Sequence, residues 1–473
     1  MLKEGRQRVL LADAGVRIRM FLTIVSFFLL LGLLIFFHEL GHYLVARRNG
    51  IEVEEFGVFG FPPRLVKLFT YDGTDFTLNA IPFGAFVRMK GEDMADTSPG
   101  SFNAARKRGR VLTLLAGPAM NFLLAIFFSI ASVFSGFPAG AAHPLLDDVA
   151  PGTELMGATF NQNDTLLRFN GQPVYVDART GELLRPKRRT PPISAEAGTI
   201  VILRDSALHT FQVPFATRND LERLLEDVSP RAALHTQVTQ VAPGSPAEEA
   251  GLMPGDIFFA VNGEVVTVER GLGEVVLSHL GETISVTMLR GDELYTRDVL
   301  ARQDPPPGQG AMGVGISGNL MLVTLPFFSS IWQGVVGIVD YVQAVIALPV
   351  LLISGRLAPQ DAALSGPVGI AQLVGGAVNA TADTGLWFPV WQLAAIISAG
   401  LAIANLLPIP ALDGGRLLFI IIEKLRGRRM PPEKEGVIHL VGFVLLLGLM
   451  VVITINDIRS GPQGIDWSQL LGP

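Results

Sequence analysis

The sequence predicts a polytopic α-helical membrane protein with four core transmembrane helices, a membrane-associated β element and two β-rich domains inserted between helices two and three. Three observations predict this fold class. Only 17% of the residues are charged and 49% are apolar, whereas soluble domains usually carry about 25% charge. Four segments are almost free of charge over the roughly 20 residues that a helix needs to cross hydrocarbon. The region between the second and third segments has ordinary polarity and contains an internal repeat.

The four apolar segments are predicted to form transmembrane helices at 20–46, 111–135, 386–413 and 436–456. Residues 1–19 precede the first helix as an N-terminal extension. A cleavable signal peptide is the alternative for the first segment, because Arg17 and Arg19 precede its apolar run. No small-residue cleavage site follows that run, which continues directly into ionisable residues. We therefore favour a retained helix.

Two further regions accompany these helices. Residues 47–110 are predicted to form a cytoplasmic, membrane-associated β region. Residues 320–355 are also apolar, but Asp340 interrupts them and Pro326 and Pro349 lie among them. We expect membrane-surface or re-entrant helices there rather than one further crossing.

The polar region between helices two and three contains a repeat with a constant offset of 92 positions. The matching pairs are Val149 and Val241, Asp164 and Asp256, Asn170 and Asn262, and Val174 and Val266. A constant offset over such a stretch is the signature of repeated structural units. In each copy a strand-like apolar run meets an Asn-Gly turn, which is a strong hairpin signal. The copies are predicted to be β-rich domains at 143–220 and 230–303.

The charge and cysteine content exclude several classes of function. The net charge of −6 offers no basic excess for binding phosphates, so no nucleic-acid partner is expected. The chain has no cysteine. A disulfide framework, a thiolate metal site and a cysteine nucleophile are therefore excluded, and any metal must be held by His, Asp, Glu or water.

The first predicted helix ends in a chemically reactive motif, His38-Glu39-Leu40-Gly41-His42. It fits the pattern H-E-x-x-H, in which histidines four residues apart share one helix face and bind one zinc ion while the glutamate activates its water. Two interfacial histidines near a helix end are the alternative. An ionisable group in a membrane helix costs about 2.5–3.5 kcal/mol, and metal binding compensates for that cost, so the motif favours zinc.

A catalytic zinc site normally has three protein ligands and one position for water. The best third ligand is Asp413, at the end of the third predicted helix, where Pro408 and Pro410 break the helix and Gly414 and Gly415 permit close approach of the backbone. The alternative is an ordinary helix-terminal aspartate at the membrane surface. The H-E-x-x-H motif favours the ligand.

These motifs together resemble the site-2 protease family of intramembrane zinc metalloproteases, in particular its bacterial branch with tandem PDZ domains. The second repeat, from Ser245 to Asp256, resembles the PDZ domains of bacterial proteases, and the first copy is PDZ-like. Further matching segments are Leu412-Asp413-Gly414, Ala116-Gly117-Pro118 with Asn121-Phe122, and Ser365-Gly366-Pro367-Val368-Gly369.

The resemblance implies a role for each matching residue. His38, His42 and Asp413 are expected to bind Zn2+, and Glu39 is expected to be the general base. Asn405 and Pro408 are expected to contact substrate. The segment from Ile81 to Val87 resembles the family's membrane-associated β element, which is thought to hold substrate as an added strand, so Gly84, Ala85, Phe86 and Val87 are expected to bind substrate. Ala85 and Phe86 replace the second Gly and the Tyr of the family's Gly-Gly-Tyr-Val pattern.

The distribution of positive charge predicts the orientation in the membrane. The segment from Arg47 to Arg110 has ten Lys and Arg residues and the segment from Gly414 to Glu435 has six, so both are expected in the cytoplasm. The two β-rich domains then lie in the periplasm, and Asp413 lies on the same cytoplasmic side as the histidines. One crossing by 320–355 would separate Asp413 from them.

The resemblance implies a multi-pass protein of the bacterial inner membrane that performs regulated intramembrane proteolysis. Expected partners are membrane lipid and single-span membrane protein substrates, such as an anti-sigma factor after a first cut, or remnant signal peptides. The PDZ pair is expected to act as an external size filter, with recruitment of a peptide terminus as the alternative. An inactive or scaffolding PDZ-bearing membrane protein is the rival function, and a membrane-anchored protease with a glutamate as third ligand is the rival enzyme.

Overall fold

The structure is a computed structural model. It describes residues 2–81, 84–92, 96–146, 149–150, 152–155, 158–177, 181–184, 198–204, 207–213, 218–228, 231–233, 236–267, 270–290, 293–306, 309–318, 320–354, 365–427 and 432–460. The described chain divides into two compact units. A helical unit contains the residues up to Gly136 and those from Leu325 onward, and a β unit runs from Phe137 to Thr324.

The first half of the helical unit consists of two long helices and a small sheet. Its elements are α1 (Leu2–Arg48), β1 (Val53–Phe59), β2 (Phe61–Tyr71), β3 (Thr74–Ile81), β4 (Phe86–Met89) and α2 (Lys107–Phe134). The sheet has the strand order β2-β3-β1-β4. Strand β1 pairs with β3 in parallel and with β4 in antiparallel orientation. Strand β4 is therefore an edge strand.

The β unit contains the sequence repeat. Its elements are β5 (Phe137–Leu146), β6 (Thr153–Leu155), β7 (Ala158–Phe160), β8 (Asp164–Phe169), β9 (Gln172–Pro173), β10 (Val176–Asp177), β11 (Gly198–Arg204), β12 (Ala207–Val213), α3 (Arg218–Val228), β13 (Arg231–Ala233), β14 (Thr236–Val241), α4 (Pro246–Glu249), β15 (Ile257–Val261), β16 (Glu264–Val265), α5 (Leu272–Leu277), β17 (Thr283–Arg290), β18 (Glu293–Leu300), β19 (Val314–Gly318) and β20 (Leu320–Val323). The two main sheets have the orders β10-β5-β8-β11-β12 and β18-β17-β15-β14-β19. Strands β5, β19 and β20 extend the unit beyond the predicted limits of 143–220 and 230–303.

The two copies of the repeat make the same contacts. Arg204 forms two hydrogen bonds with the carboxylate of Asp164, and Arg290 does the same with Asp256. Both predicted Asn-Gly turns have positive φ at the asparagine, 52° in each copy. The repeated residues therefore set the same turn and the same buried ion pair in each half of the β unit.

The second half of the helical unit contains five helices: α6 (Phe327–Ile353), α7 (Pro367–Thr384), α8 (Phe388–Leu406), α9 (Asp413–Arg426) and α10 (Pro432–Ser460). Within the described part of the chain, five helices are long and apolar enough to span a membrane. They are Arg17–Arg48, Lys107–Phe134, Phe327–Ile353, Phe388–Leu406 and Lys434–Arg459. Four of them overlap the predicted transmembrane helices, and the chain is a polytopic membrane protein.

The structure divides 320–355 differently from the expected helices. Residues Leu320–Val323 form a strand that pairs with β5, and Phe327–Ile353 is one continuous helix rather than a pair of helices. Pro326 occupies the N-cap position, where its missing N–H costs nothing. Pro349 lies in the last turns, so the helix loses only one hydrogen bond there. By its length and composition this helix is a further candidate membrane span beside the four predicted ones.

The third predicted helix is also divided. Helix α8 ends at Leu406, and Asp413 is the first residue of α9. Pro408 and Pro410 cannot donate the backbone hydrogen bonds that would continue α8. The residues between the two helices therefore form a separate turn immediately before Asp413.

Helix α2 is the centre of the helical unit, because it packs against α1, α6, α8 and α9. One apolar core joins Leu34 of α1, Phe128 of α2 and Ala399 of α8. A second joins Tyr43 of α1, Phe56 of β1 and Ile420 of α9, so the sheet and the helix that starts at Asp413 share a core with the C-terminal part of α1.

Candidate metal centre and active site

Helix α1 presents the two histidines of the H-E-x-x-H motif on one face. Their side chains are buried, and their Nε2 atoms lie 3.1 Å apart. Nδ1 of His42 lies 2.7 Å from the backbone carbonyl oxygen of Thr113. A ring N–H must donate this bond, so the proton of neutral His42 is on Nδ1 and the Nε2 lone pair faces the site.

Asp413 joins the histidines from a different part of the chain. Its Oδ2 lies 3.1 Å from Nε2 of His38 and 3.3 Å from Nε2 of His42. Gly414 follows at the first turn of α9, where an added Cβ would come within 2.5 Å of the carbonyl oxygen of Leu406. Only a glycine permits this approach, which brings the start of α9 back against the end of α8.

The three converging atoms fit a metal ion. Tetrahedral zinc with ligands at about 2.0 Å separates its ligand atoms by about 3.3 Å, which matches the observed 3.1–3.3 Å. Two imidazole lone pairs and a carboxylate oxygen repel one another at such distances unless a cation lies between them. The donor set of two histidines and one carboxylate is also a set that catalytic zinc uses.

Helix α2 supports the imidazole of His38 as well. Nδ2 of Asn121 lies 3.2 Å from Nδ1 of His38, while Oδ1 of Asn121 is buried and has no hydrogen-bond partner among the described residues. Turning this amide by 180° brings Oδ1 to the ring, where it accepts the Nδ1 proton. Nε2 of His38 is then left with its lone pair for a metal ion, which is the usual arrangement of a metal-binding histidine.

The carboxyl group of Glu39 lies beside the three metal-binding candidates and hydrogen-bonds to the backbone of Val87. This contact places β4 next to the motif. Gly84 has φ +75° and its carbonyl accepts a hydrogen bond from the Gly60 N–H at 2.7 Å. Ala85 is buried, whereas Phe86 is half-exposed. Of the remaining residues of the predicted β element, Pro82 and Phe83 lie outside the described residues.

Asn405 lies near the end of α8, and Pro408 lies in the turn that follows it. Nδ2 of Asn405 donates to the carbonyl oxygen of Leu401 in its own helix at 3.1 Å, and Pro408 is exposed. In the part of the chain that the structure describes, no hydrogen bond joins either residue to the metal-binding candidates. Their expected role in substrate binding stays a prediction.

Sequence reasoning missed several residues that shape the site. Thr113 contributes through its backbone carbonyl, which has no signature in a sequence. Gly117 and Asn121 belong to a motif that the sequence identified without a role for either residue. His439 accepts a hydrogen bond from the loop before Asp413, and its only signal was an isolated ionisable group in an apolar segment.

The fold and the site together define a class of protein, a membrane protein with a metal centre of two histidines and one aspartate beside a glutamate. Comparison with known proteins identifies the family. A family model described as peptidase family M50 matches residues 26–449. The zinc metalloprotease RasP of Geobacillus kaustophilus is 31% identical over 93% of this chain and 98% of its own length.

Two further relatives cover nearly the whole chain. The regulator of sigma-W protease RasP of Bacillus subtilis is 28% identical, over 92% of this chain and 98% of its own length. The regulator of sigma E protease of Haemophilus influenzae is 28% identical, over 91% of this chain and 97% of its own length. The chain therefore belongs to peptidase family M50. This confirms the predicted site-2 protease family, the enzyme class of zinc metalloprotease and the cofactor.

Proposed function

We propose that this protein is an intramembrane zinc endopeptidase that performs regulated intramembrane proteolysis of single-span membrane proteins. One observation carries the proposal. Nε2 of His38, Nε2 of His42 and Oδ2 of Asp413 meet within 3.3 Å of one another at the end of an apolar helix. Glu39 lies beside them, which supports a site where metal ligands and a base act together on a membrane-embedded peptide.

The residues divide the chemistry of peptide hydrolysis between them. His38, His42 and Asp413 hold the zinc ion, which when bound polarises the scissile carbonyl and lowers the pKa of a water molecule. Glu39 accepts a proton from the attacking water and delivers it to the nitrogen of the leaving amine. Its contact with the backbone of Val87 orients the carboxyl group toward the space next to β4.

Strand β4 supports a means of holding the substrate. It pairs with β1 alone among the described strands, so its other edge is open to an added strand. An unwound substrate segment would pair there, along Gly84, Ala85, Phe86 and Val87. Asn405, near the end of α8, and Pro408, in the turn that leads to Asp413, would contact the same segment.

A proline immediately before β4 tests this role. Ala85→Pro is cleaner than Val87→Pro, because the backbone of Val87 already contacts Glu39. We expect Ala85→Pro to reduce cleavage and leave the zinc content unchanged, since proline alters the edge strand but removes no metal ligand. Leu65→Pro, in the opposite edge strand β2, is the control. Equal turnover by Ala85→Pro and the original chain would exclude the added strand.

The names of two relatives, regulator of sigma-W protease and regulator of sigma E protease, support anti-sigma factors as substrates of this chain. Remnant signal peptides have the same single-span form and are the second proposed substrate. The charge distribution supports a location in the bacterial inner membrane with the metal centre near the cytoplasmic side and the β unit in the periplasm.

The β unit is proposed to contain two PDZ domains that exclude substrates whose external domain is still present. The strand register gives a clean way to remove it. Phe137 to Gly140 of β5 pair with Val323 to Leu320 of β20, so residues 141–319 can be replaced by an Asn-Gly turn that closes this short hairpin. Under the filter model the shortened enzyme cleaves untrimmed substrates as well as trimmed ones. Under the recruitment model it cleaves neither.

The decisive experiment incubates the purified protein with a model single-span substrate. The original chain, Glu39→Gln and a chelator-treated sample are compared for cleavage and for zinc content. We expect cleavage only by the untreated original chain, while Glu39→Gln retains its zinc. Zinc binding without cleavage in the original chain would support the rival function, an inactive or scaffolding membrane protein.

A further inference from the structure

The turn before Asp413 has an unusual backbone. Ala411 has φ +80°, a left-handed conformation that is disfavoured for a residue with a Cβ. Hydrogen bonds within the turn join Ile409 to Leu407 and Leu412 to Ile409. They leave the backbone N–H of Ala411, at the strained position itself, to be satisfied from outside the turn.

The partner of this N–H is on α10. Nδ1 of His439 accepts a hydrogen bond from the Ala411 N–H at 2.8 Å. The imidazole also makes an edge-to-face contact with the ring of Phe419 on α9, with 5.3 Å between the ring centroids. His439 therefore contacts both the turn that precedes Asp413 and the helix that begins with it.

The neighbouring turn of α10 makes a second contact with the same segment. A Cβ at Gly442 would lie 2.5 Å from Cβ of Pro410 and 2.8 Å from its carbonyl oxygen. Gly442 and His439 are three residues apart, so they lie on one face of the helix. The backbone of α10 thus packs directly on Pro410 while His439 binds the next residue.

We propose that His439 is a positioning residue for the metal ligand Asp413. By accepting the Ala411 N–H, it holds the left-handed turn that directs the carboxylate of Asp413 toward His38 and His42. This inference rests on the proposed metal site. It adds a role for α10, which supplies none of the ligands but shapes the turn that carries one of them.

Three substitutions of His439 distinguish the role of Nδ1 as a hydrogen-bond acceptor from the role of the ring contact with Phe419. His439→Asn places Oδ1 where Nδ1 stood and keeps the acceptor. His439→Gln is chemically matched, but it carries its oxygen one bond further out. His439→Phe keeps the ring contact with Phe419 and removes the acceptor. All three are made in the full-length chain and purified in detergent.

The readouts are zinc bound per chain, zinc affinity by chelator competition, and the visible absorption of the cobalt-substituted protein, which reports tetrahedral coordination. We expect His439→Phe and His439→Gln to lower zinc affinity by about tenfold to a hundredfold, as changes in the partners of metal ligands usually do. His439→Asn should stay close to the original chain and keep its cobalt spectrum. The Asn and Gln pair keeps the test decisive if His439→Phe does not fold.

A second substitution tests whether His439 acts on zinc binding through the backbone conformation of Ala411. Glycine adopts positive φ without steric cost, so Ala411→Gly should restore part of the zinc affinity that His439→Gln loses. Unchanged affinity in His439→Gln, an equal loss in His439→Asn and His439→Gln, or no restoration by Ala411→Gly would overturn the inference.

Asp413→Ala is the reference that separates this inference from the proposed function. If Asp413→Ala binds zinc as the original chain does, the proposed metal site is wrong. If Asp413→Ala loses zinc while His439→Gln keeps it, the metal site stands and only the role of His439 is wrong.

Discussion

At the scale of single residues, the proposed metal centre is bordered by a row of α2 residues that are not among its proposed ligands. Thr113, Gly117 and Asn121 follow one another at intervals of four and therefore share one helix face. The carbonyl of Thr113 faces His42, and the side chain of Asn121 faces His38. Gly117 lies between them and contributes only the absence of a side chain, which leaves room for both imidazoles.

Gly117→Ala is expected to lower zinc binding. The added Cβ would lie 2.6 Å from Nε2 of His38 and closer still to Nε2 of His42, so the methyl group occupies the space where the ligand lone pairs meet. We expect at least about a tenfold loss of zinc affinity, the lower end of the effect of altering a ligand's surroundings.

Chelator competition on the purified protein measures this loss. Gly448→Ala is the matched control, because Gly448 also lies within a helix and an added Cβ there meets no atom within 4 Å among the described residues. Zinc affinity in Gly117→Ala equal to that of Gly448→Ala would mean that the imidazoles turn away without cost.

At the scale of elements, α9 connects the proposed metal ligand Asp413 to two other parts of the helical unit. It begins with Asp413. One turn later Arg416 forms an ion pair with Glu92, just after strand β4. Toward its end, Glu423 pairs with Arg110 at 2.7 Å and with Lys107 at 3.2 Å, both in the first turn of α2. One short helix therefore fixes Asp413 relative to strand β4 and to α2.

Glu423→Leu is expected to destabilise the helical unit. The side chain of Arg110 is only 5% exposed and that of Glu423 is 12% exposed, and removing one partner of a buried ion pair leaves an uncompensated charge at a cost of about 3–5 kcal/mol. Thermal unfolding followed by tryptophan fluorescence measures the change. Adding Arg110→Met should recover most of the loss, because the buried charge is then also absent.

Lys107→Ala is the control for this pair. Its side chain is half-exposed, so the loss of its ion pair should cost no more than about 1 kcal/mol. A double variant that is as unstable as Glu423→Leu alone would show that the carboxylate acts through contacts other than that with Arg110.

The helices and turns also show which features of the fold could be predicted from the sequence and which could not. The apolar run before His38 and the prolines before Asp413 are local signals, and the structure has a helix and a helix break at those positions. Helices were expected in 320–355 where the structure has the single helix α6, because a proline near a helix end does not stop the helix. The turn at Ala411 could not be predicted, since the partner of its backbone N–H is His439, 28 residues further along the chain.

At the scale of the whole molecule, the two β-sheet copies of the β unit pack against each other through corresponding residues. Leu167 and Phe259, which are 92 positions apart in the sequence, share one buried cluster. Leu203 and Leu289 belong to the same cluster and flank the corresponding residues Arg204 and Arg290. Matching surfaces of two similar domains make a self-complementary contact, so the two copies form one body rather than two independent domains.

The β unit contains a buried histidine, His143, and protonation of its side chain should lower the stability of the unit. His143 lies against the rings of Tyr175 and Phe259, with centroids 4.7 Å and 5.8 Å away. Burial lowers the pKa of His143 from 6.5 to about 4, and the nearby charge of Arg168 acts in the same direction. The folded β unit therefore keeps His143 neutral, whereas the unfolded chain protonates it below about pH 6.5.

The stability of the β unit should consequently fall as the pH drops from about 6.5 to about 4, by about 3 kcal/mol for this group. Hydrogen exchange of the full-length protein, corrected for intrinsic rates, measures this as a loss of protection in β5, β8 and β15. In His143→Phe the ring packing remains and nothing titrates, so protection in these strands should depend less on pH. The same pH dependence in both proteins would mean that other groups of the β unit bind the protons.

Chelation at neutral pH offers the complementary test, because His38, His42 and Asp413 all belong to the helical unit. Removal of zinc should reduce protection around these three residues and leave the strands around His143 unchanged.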